Sequence, residues 1–267
     1  MSIQLLHGDC LEIMKTLPDK SIDCFICDLP YGCLTTPRAT CGAGWRKEVE
    51  AGLQKTLHRD GGCPWDIKLN LTLFWEQVTR LAKSDHTPII HFCNTKFGAE
   101  LIASNPSWFR YDLVWNKEFG VGFLSANKQP LRSHENIYIF SKKGAYYNRI
   151  DEYVEGAKAY SYAHGGYKDQ NVYGKAKNVF RGNEENTRCS KSILTFKPTK
   201  FKGQHPTEKP IALYKWLLER YAPKGATILD PTAGSFNSCK AAKELGLSAI
   251  GIEKDDTFYE KALLTLK

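Results

Sequence analysis

The chain has 267 residues, of which 42% are hydrophobic and 25% are charged. This composition is ordinary for a globular protein, and the length suits one sizeable α/β domain with an embedded accessory region. No apolar run approaches the roughly 18 residues that span a membrane, and residues 1–9 lack the basic and apolar zones of a secretory signal. We therefore expect no membrane partner and a cytoplasmic location.

Seven short apolar runs have the length and composition of buried strands. They lie at residues 3–6, 22–27, 88–93, 111–115, 137–140, 227–229 and 249–252. Apolar residues at helical spacing lie between or after some of these runs, at residues 73–83, 211–221 and 238–245. Strands that alternate with helices predict an α/β fold in which helices cover both faces of a mostly parallel sheet.

Two stretches interrupt this alternation. Residues 32–66 are rich in Gly, Cys and Thr, with a short helical piece at 45–57, and residues 144–204 contain seven of the 13 tyrosines. Between Lys142 and Gln204 there are 13 Lys and Arg against six Asp and Glu, so this quarter holds most of the net charge of +8. Long connections in compact domains are usually functional or disordered, and a local positive excess favours a polyanion as partner. We expect the second stretch to lie outside the sheet.

The nine cysteines are too scattered for the disulfide framework of a small secreted protein. Cys24 and Cys27 lie in the predicted strand 22–27, where residues three apart point to opposite faces, so we expect two core thiols. Four further potential ligands are Cys33, Cys41, His58 and Cys63. Their spacing fits no usual zinc pattern, and we predict no metal site.

The predicted strand at 22–27 is followed by Asp28-Leu29-Pro30-Tyr31-Gly32. Open α/β sheets bind ligands beyond the carboxyl ends of their strands. There, Asp28 can accept a hydrogen bond from an NH2 group, the backbone near Pro30 offers a second acceptor, and Tyr31 can stack on a planar ring. The sequence therefore suits a reaction at the amino group of an aromatic ring, although a strand end capped by a turn would explain the same five residues.

A second strand, at 227–229, is followed by Asp230-Pro231-Thr232-Ala233-Gly234-Ser235 and then a helix. Gly234 allows a ligand to approach the backbone closely, as in other nucleotide-binding turns. About 20 residues later, Glu253 ends the next strand, where an acid accepts hydrogen bonds from ribose hydroxyls. This pairing predicts a nucleotide-like cofactor, against the alternative of a tight structural turn.

In order and content these motifs resemble the beta-class amino DNA methyltransferases, whose Asp/Ser/Asn-Pro-Pro-Tyr catalytic motif precedes the cofactor motif. Further resemblances lie at residues 8–10, 115–117, 133–136 and 205–210. The family implies a Rossmann-like, S-adenosylmethionine-dependent methyltransferase fold with a mostly parallel, seven-stranded sheet and permuted motif order. It also implies a target-recognition region between the two motifs. The resemblance covers most of the chain except roughly residues 33–64 and 144–203.

The resemblance assigns the site residues. The catalytic set is Asp28, Pro30 and Tyr31. The set that contacts S-adenosylmethionine is Asp9, Cys10, Asp28, Thr207, Lys209, Asp230, Pro231, Thr232, Ala233, Gly234, Ser235, Phe236, Asn237, Glu253 and Lys254. The chain departs from the family at Leu29, where Pro is usual, and at Phe236, where the turn reads Gly-Ser-Phe-Asn in place of Gly-Ser-Gly-Thr. Phe236 either packs over the cofactor or shapes the turn.

The resemblance implies transfer of a methyl group to adenine N6 in double-stranded DNA, on a base flipped out of the helix. A motif that begins with Asp favours adenine, and N4 of cytosine is the alternative. Methylation of RNA or of a protein glutamine, and an inactive DNA-binding relative, are further alternatives. Residues 1–143 and 205–267 then form the catalytic and cofactor-binding domain, 144–204 the inserted target-recognition region, and 32–66 a loop close to the active site. A homodimer and a cognate restriction enzyme are partners that the family admits and that the sequence does not decide.

Overall fold

Eight strands form the central sheet of the protein, whose computed structural model describes residues 1–32, 66–163, 180–199 and 207–266. The strands of this sheet are β1 (Ile3–His7), β2 (Cys24–Cys27), β3 (Ile89–Cys93), β4 (Phe109–Val121), β5 (Arg132–Phe140), β10 (Ile193–Thr195), β11 (Thr227–Asp230) and β12 (Ser248–Glu253). Their spatial order is β1-β12-β11-β2-β3-β5-β4-β10. Within it, β5 alone runs antiparallel to both neighbours. The predicted mostly parallel α/β fold is thus confirmed.

The predicted number of strands was wrong, because the described residues form eight. The additional strand is β10, which pairs parallel to β4 inside the 144–204 stretch that we expected to lie outside the sheet. Only Leu194 of its three residues is buried. A strand this short at the sheet edge leaves no alternating pattern in the sequence.

Six helices cover the two faces of the sheet in the described part of the chain. They are α1 (Cys10–Thr16), α2 (Leu71–Leu81), α3 (Thr95–Ser104), α4 (Ile211–Tyr221), α5 (Asn237–Glu244) and α6 (Asp256–Leu266). Helices α1, α2 and α3 pack on one face, and α4, α5 and α6 on the other. The side chains of Asp9, Asn70 and Asn94 accept hydrogen bonds from the first turns of α1, α2 and α3, which is why these helices begin where they do. No helix among these residues is long and apolar enough to cross a membrane.

The strand β2 is buried along its whole length and separates the two halves of the core. Cys24 lies in the core on the α4–α6 face, whereas Cys27 lies in the core on the α1–α3 face. The prediction of two core thiols is confirmed. The four other potential ligands, Cys33, Cys41, His58 and Cys63, and the helical piece at 45–57 lie outside the described residues.

Residues 148–192 form a separate compact unit. In its described part, β6 (Glu152–Tyr153) pairs with β9 (Thr187–Arg188), and β7 (Tyr160–Ala163) pairs with β8 (Phe180–Asn183). The carboxylate of Asp151 accepts hydrogen bonds from Arg149 and from the side-chain amide of Asn183. This unit lies within the predicted 144–204 insert.

Candidate active site

The carboxyl ends of β1, β2, β11 and β12 meet at one edge of the sheet and open into a cleft of about 790 Å³. The cleft has the size of a small-molecule site. The predicted site residues that line it are Asp9, Cys10, Asp28, Pro30, Tyr31, Thr207, Lys209, Pro231, Thr232, Gly234, Glu253 and Lys254. Because parallel strands bring their ends together, residues far apart in the chain share this one cleft.

Asp28 lies directly after β2, and both of its carboxylate oxygens are engaged. Oδ1 accepts a hydrogen bond of 2.8 Å from the hydroxyl of Tyr31. Oδ2 accepts one of 2.5 Å from the ammonium group of Lys209, whose side chain is only 3% exposed. The carboxylate is thus held in a fixed orientation at the cleft, with lone pairs left for a further donor.

Lys209 also lies between two carboxylates. Its Nζ is 3.6 Å from Oε2 of Glu135, and Glu135 is bound in turn by Lys117. Burial opposes the charged form of Lys209, but the carboxylates of Asp28 and Glu135 outweigh it and raise the lysine pKa. For Glu135, burial favours the neutral form, yet Lys209 and Lys117 bring its pKa below the usual value. Lys209 and Glu135 therefore both carry their charges at neutral pH.

Glu135 and Lys117 are cleft residues that the sequence analysis did not assign to the site. They lie on β5 and β4, two strands whose pairing sets Glu135 opposite Trp115. The only available signal was the family resemblance of residues 115–117 and 133–136, which gave no role to individual side chains.

The ring of Tyr31 stacks on Phe97, with ring centroids 5.2 Å apart and an interplanar angle of 28°. Burial, reinforced by the negative charge of Asp28, raises the pKa of Tyr31 well above its ordinary value. The phenol therefore stays protonated and donates to Asp28. Phe97 fixes one face of the Tyr31 ring, while Tyr31 itself lines the cleft.

Glu253 fastens the turn that follows β11. Its Oε2 accepts a hydrogen bond of 2.7 Å from the backbone N–H of Gly234, and its Oε1 accepts one of 2.8 Å from that of Asp255. Burial raises the pKa of Glu253, whereas these backbone hydrogen bonds act in the opposite direction. Gly234 has φ +50, a conformation that glycine adopts at little cost. A carboxylate and an open backbone turn therefore lie side by side in the cleft.

Asp9 follows β1 and also lines the cleft. Its Oδ1 caps α1 through the N–H of Leu11, and its Oδ2 lies 3.2 Å from Nζ of Lys254. Next to it, burial raises the pKa of the Cys10 thiol to about 12. Cys10 is therefore a neutral lining group at physiological pH. It is not a nucleophile, because a nucleophilic thiol needs a lowered pKa.

Five predicted cofactor residues do not line the cleft in the described part of the chain. They are Asp230, Ala233, Ser235, Phe236 and Asn237. Asp230 is buried, and it accepts hydrogen bonds from the Ser238 hydroxyl at 2.5 Å and from the N–H of Thr232 at 3.1 Å. Burial raises its pKa to about 7, although both hydrogen bonds lower it. Asp230 thus stabilises the turn through these hydrogen bonds.

Phe236 is fully buried and packs against Gly251, where a Cβ would lie only 2.7 Å from the ring. Of the two roles considered for this residue, the geometry favours shaping the turn. Asn237 is likewise buried and donates a hydrogen bond of 2.9 Å to the carbonyl of Lys209. The residue therefore links α5 to the lysine that binds Asp28.

A family model described as DNA methylase, of the N6 and N4 type, matches residues 22–264. The type II methyltransferase M.HinfI of Haemophilus influenzae is 25% identical over 270 residues, which cover 97% of this chain and 66% of that protein.

Two solved structures resemble the fold. The M1.HpyAVI complex with S-adenosylmethionine has a TM-score of 0.59 at 19% identity, with 99% of each chain covered. The cytosine-N4-specific PvuII DNA methyltransferase has a TM-score of 0.65 at 11% identity, covering all of this chain and 87% of that one. The methyltransferase fold expected from the sequence is confirmed.

Proposed function

We infer that the chain, which belongs to the family of N6 and N4 DNA methylases, transfers a methyl group from S-adenosylmethionine to N6 of adenine in double-stranded DNA. The observation that carries this proposal is the Asp28 carboxylate, held at the carboxyl end of β2 by Tyr31 and Lys209. Asp28 begins a motif that resembles the family's catalytic motif, and the Asp form of that motif favours adenine.

An exocyclic amine is a weak nucleophile because its lone pair is delocalised into the ring. A hydrogen bond from the NH2 group to Asp28, and a second to the backbone near Pro30, would favour a pyramidal nitrogen that can attack. Since Asp28 is already fixed by two donors, little reorganisation is needed when the amine arrives. Catalysis would then come from orientation and preset electrostatics, with no covalent bond to the protein.

The cleft residues fit S-adenosylmethionine as the methyl donor. Asp9 and Glu253 supply carboxylates near the turn at Gly234, suited to a ligand that carries hydroxyl, amino and sulfonium groups. The buried hydroxyl of Thr232 has no hydrogen-bond partner among the described residues, which leaves it free to bind a ligand that enters the cleft. When bound, the cofactor supplies an electrophilic methyl group. We assign its ribose to Glu253 and its adenine to the region of Asp9 and Cys10.

Residues 144–204 are proposed to recognise the DNA target, because the positive excess of this region suits phosphate contacts. A homodimer and a cognate restriction enzyme remain predictions of the sequence analysis. Cytosine N4 is the second candidate acceptor, since the PvuII methyltransferase shares the fold.

Incubation with tritiated S-adenosylmethionine and DNA, RNA or protein tests the acceptor class, and digestion of labelled DNA to nucleosides tests the base. We expect label in DNA, as N6-methyladenine. Label in N4-methylcytosine would change the base but keep the mechanism at Asp28. Label in RNA or protein only, or in none of the three, would overturn the proposal.

A further inference from the structure

The β4–β5 hairpin carries an exposed apolar tip beside the cleft. The last paired residues of the two strands are Val121 and Arg132, and both line the cleft. Beyond them, Phe123 is 76% exposed and Leu124 is 62% exposed. Every residue from 118 to 131 is exposed except Ser125, which is partly covered. Neighbouring exposed apolar side chains of this size commonly mark an interaction site.

The tip has an ordered backbone. The N–H of Ser125 donates to the carbonyl of Gly122 at 2.9 Å, and the N–H of Lys128 donates to the carbonyl of Ser125 at 2.8 Å. At the base of the tip, Leu131 lies so close to Gly120 that a Cβ there would be 2.5 Å from the leucine Cβ. Phe123 and Leu124 are therefore presented by a short 3₁₀ turn, Phe123–Ser125, that needs little ordering on binding.

We propose that this tip enters the base stack of duplex DNA next to the target base and occupies the space that the base leaves when it turns into the cleft. This inference rests on the proposed function. A flipped base leaves an apolar gap bounded by two base faces, which a phenylalanine or leucine side chain can fill. Phe123 is two positions after Val121, so their Cα atoms lie at most about 7.6 Å apart. The gap would thus be next to the cleft that receives the base.

The charges on the hairpin suit DNA as the occupant. Lys128 is exposed on the tip, and the partly buried Arg132 lies at its base. Both can approach phosphates on either side of the opened base pair. A second copy of the chain suits the tip less well, because Phe123 and Leu124 offer roughly 300 Å² of contact, against about 800 Å² per partner in a stable interface.

The test compares the double variant Phe123→Ala/Leu124→Ala with wild type on two synthetic duplexes. Sequencing of DNA modified by the wild type first identifies the target position. One duplex then contains the target base in a normal pair, and the other contains it opposite a mismatch that weakens the pair. Leu264→Ala is the control, since it removes an exposed leucine, 85% accessible, from α6. Calorimetry with S-adenosylmethionine checks that each variant keeps its cofactor affinity.

We expect the double variant to methylate the paired duplex about 10- to 100-fold more slowly than wild type, because the cost of opening a pair is a few kcal/mol. On the mismatched duplex, its rate should come within about threefold of wild type, since the pair is already weakened. Equal losses on both duplexes, no loss on either, or a change of oligomeric state in the variant would overturn the proposal. A wild type that methylates no DNA would instead refute the proposed function.

Discussion

The ammonium nitrogen of Lys209 lies 2.5 Å from Oδ2 of Asp28 and joins two segments that are 181 positions apart in the chain. Lys209 comes directly before Pro210 and α4, and Asp28 follows β2. From the sequence we expected Lys209 to contact the cofactor; in the structure it lines the cleft and also binds the proposed catalytic carboxylate. Lys209 therefore couples the stability of the fold to the geometry of the reaction site.

Removal of the Lys209 charge should destabilise the protein. We expect Lys209→Met to lower the free energy of unfolding by about 3–5 kcal/mol, because it leaves two carboxylates without their buried partner. Lys215→Met is the matched control, since Lys215 forms an exposed ion pair with Glu244 that should contribute less than about 1 kcal/mol. Urea denaturation measures both. Similar losses in the two variants would contradict a special role for Lys209.

Asp28→Asn tests the acceptor while preserving the size of the side chain. We expect methyl transfer to fall at least about 100-fold, because the neutral amide is a weaker acceptor for the amine. The affinity for S-adenosylmethionine should stay within about threefold of wild type. Steady-state methylation of DNA and calorimetry of cofactor binding give the two values. Wild-type turnover in this variant would remove Asp28 from its proposed role.

Glu253→Ala tests the assignment of the cofactor ribose. A hydrogen bond to a charged group contributes roughly 1.5–3 kcal/mol, so the Kd for S-adenosylmethionine should rise about 10- to 150-fold. Part of this rise would come from release of the Gly234 turn, which Glu253 holds. Calorimetry measures the Kd, with Glu244→Ala on the exposed end of α5 as control. An unchanged Kd would place the ribose elsewhere.

His91 should make the protein sensitive to acid. Burial lowers its pKa from the ordinary 6.5 to about 3, and neither ring nitrogen has a hydrogen-bond partner among the described residues. Between these pH values the unfolded chain binds the proton and the folded chain does not. Stability is therefore complete above the unfolded pKa and is lost as the pH falls, by about 2 kcal/mol between pH 7 and pH 5.

His91→Phe should remove this loss, because the ring lies among Phe74, Trp75 and Phe140 at centroid distances of 5.5 to 5.6 Å. Urea denaturation at pH 7 and pH 5 should show that the difference between the two pH values shrinks in the variant. The same pH dependence in variant and wild type would mean that other groups cause it.

The predicted recognition region should give DNA binding its salt dependence. Each phosphate contact neutralised contributes a slope of about −0.9 to the logarithmic plot of affinity against salt. Replacement of Lys175 and Lys177 by Gln, at positions outside the described residues, should make this slope shallower by up to about two units. Binding of S-adenosylmethionine should barely change. Equal slopes for several such pairs across the region would refute its role in DNA binding.

The buried strands could be predicted because their apolar runs are bounded by turns. The predicted run at 111–115 contains the two buried residues of β4, Leu113 and Trp115, but the strand continues to Val121 through residues that are partly buried or exposed and carry no apolar alternation. The predicted run at 137–140 likewise covers only the inner half of β5. The outer halves are held by their mutual pairing, at Asn116–His134 and Val121–Arg132, which no apolar pattern marks in the sequence, and so the hairpin tip could not be predicted.

The same limit applies to the site. Asp28 and Glu253 could be predicted because each follows or ends a strand, where the fold class places ligands. Glu135 could not, since its place at the cleft depends on the antiparallel direction of β5. Phe236 was assigned from its position in a cofactor turn, but its side chain points into the core because the chain has a glycine at 251.

The side chains that positions 236 and 251 can accept thus depend on each other. Phe236 has φ +55, which costs a residue other than glycine roughly 1–2 kcal/mol, and its ring fills the space above Gly251. A side chain added at 251 alone would collide with the ring, whereas glycine at 236 alone would leave a cavity. Replacement of Phe236 by glycine together with a larger side chain at position 251 would avoid both the collision and the cavity. We therefore expect the two positions to vary together among descendants of this chain, so that the unusual turn is inherited as a unit.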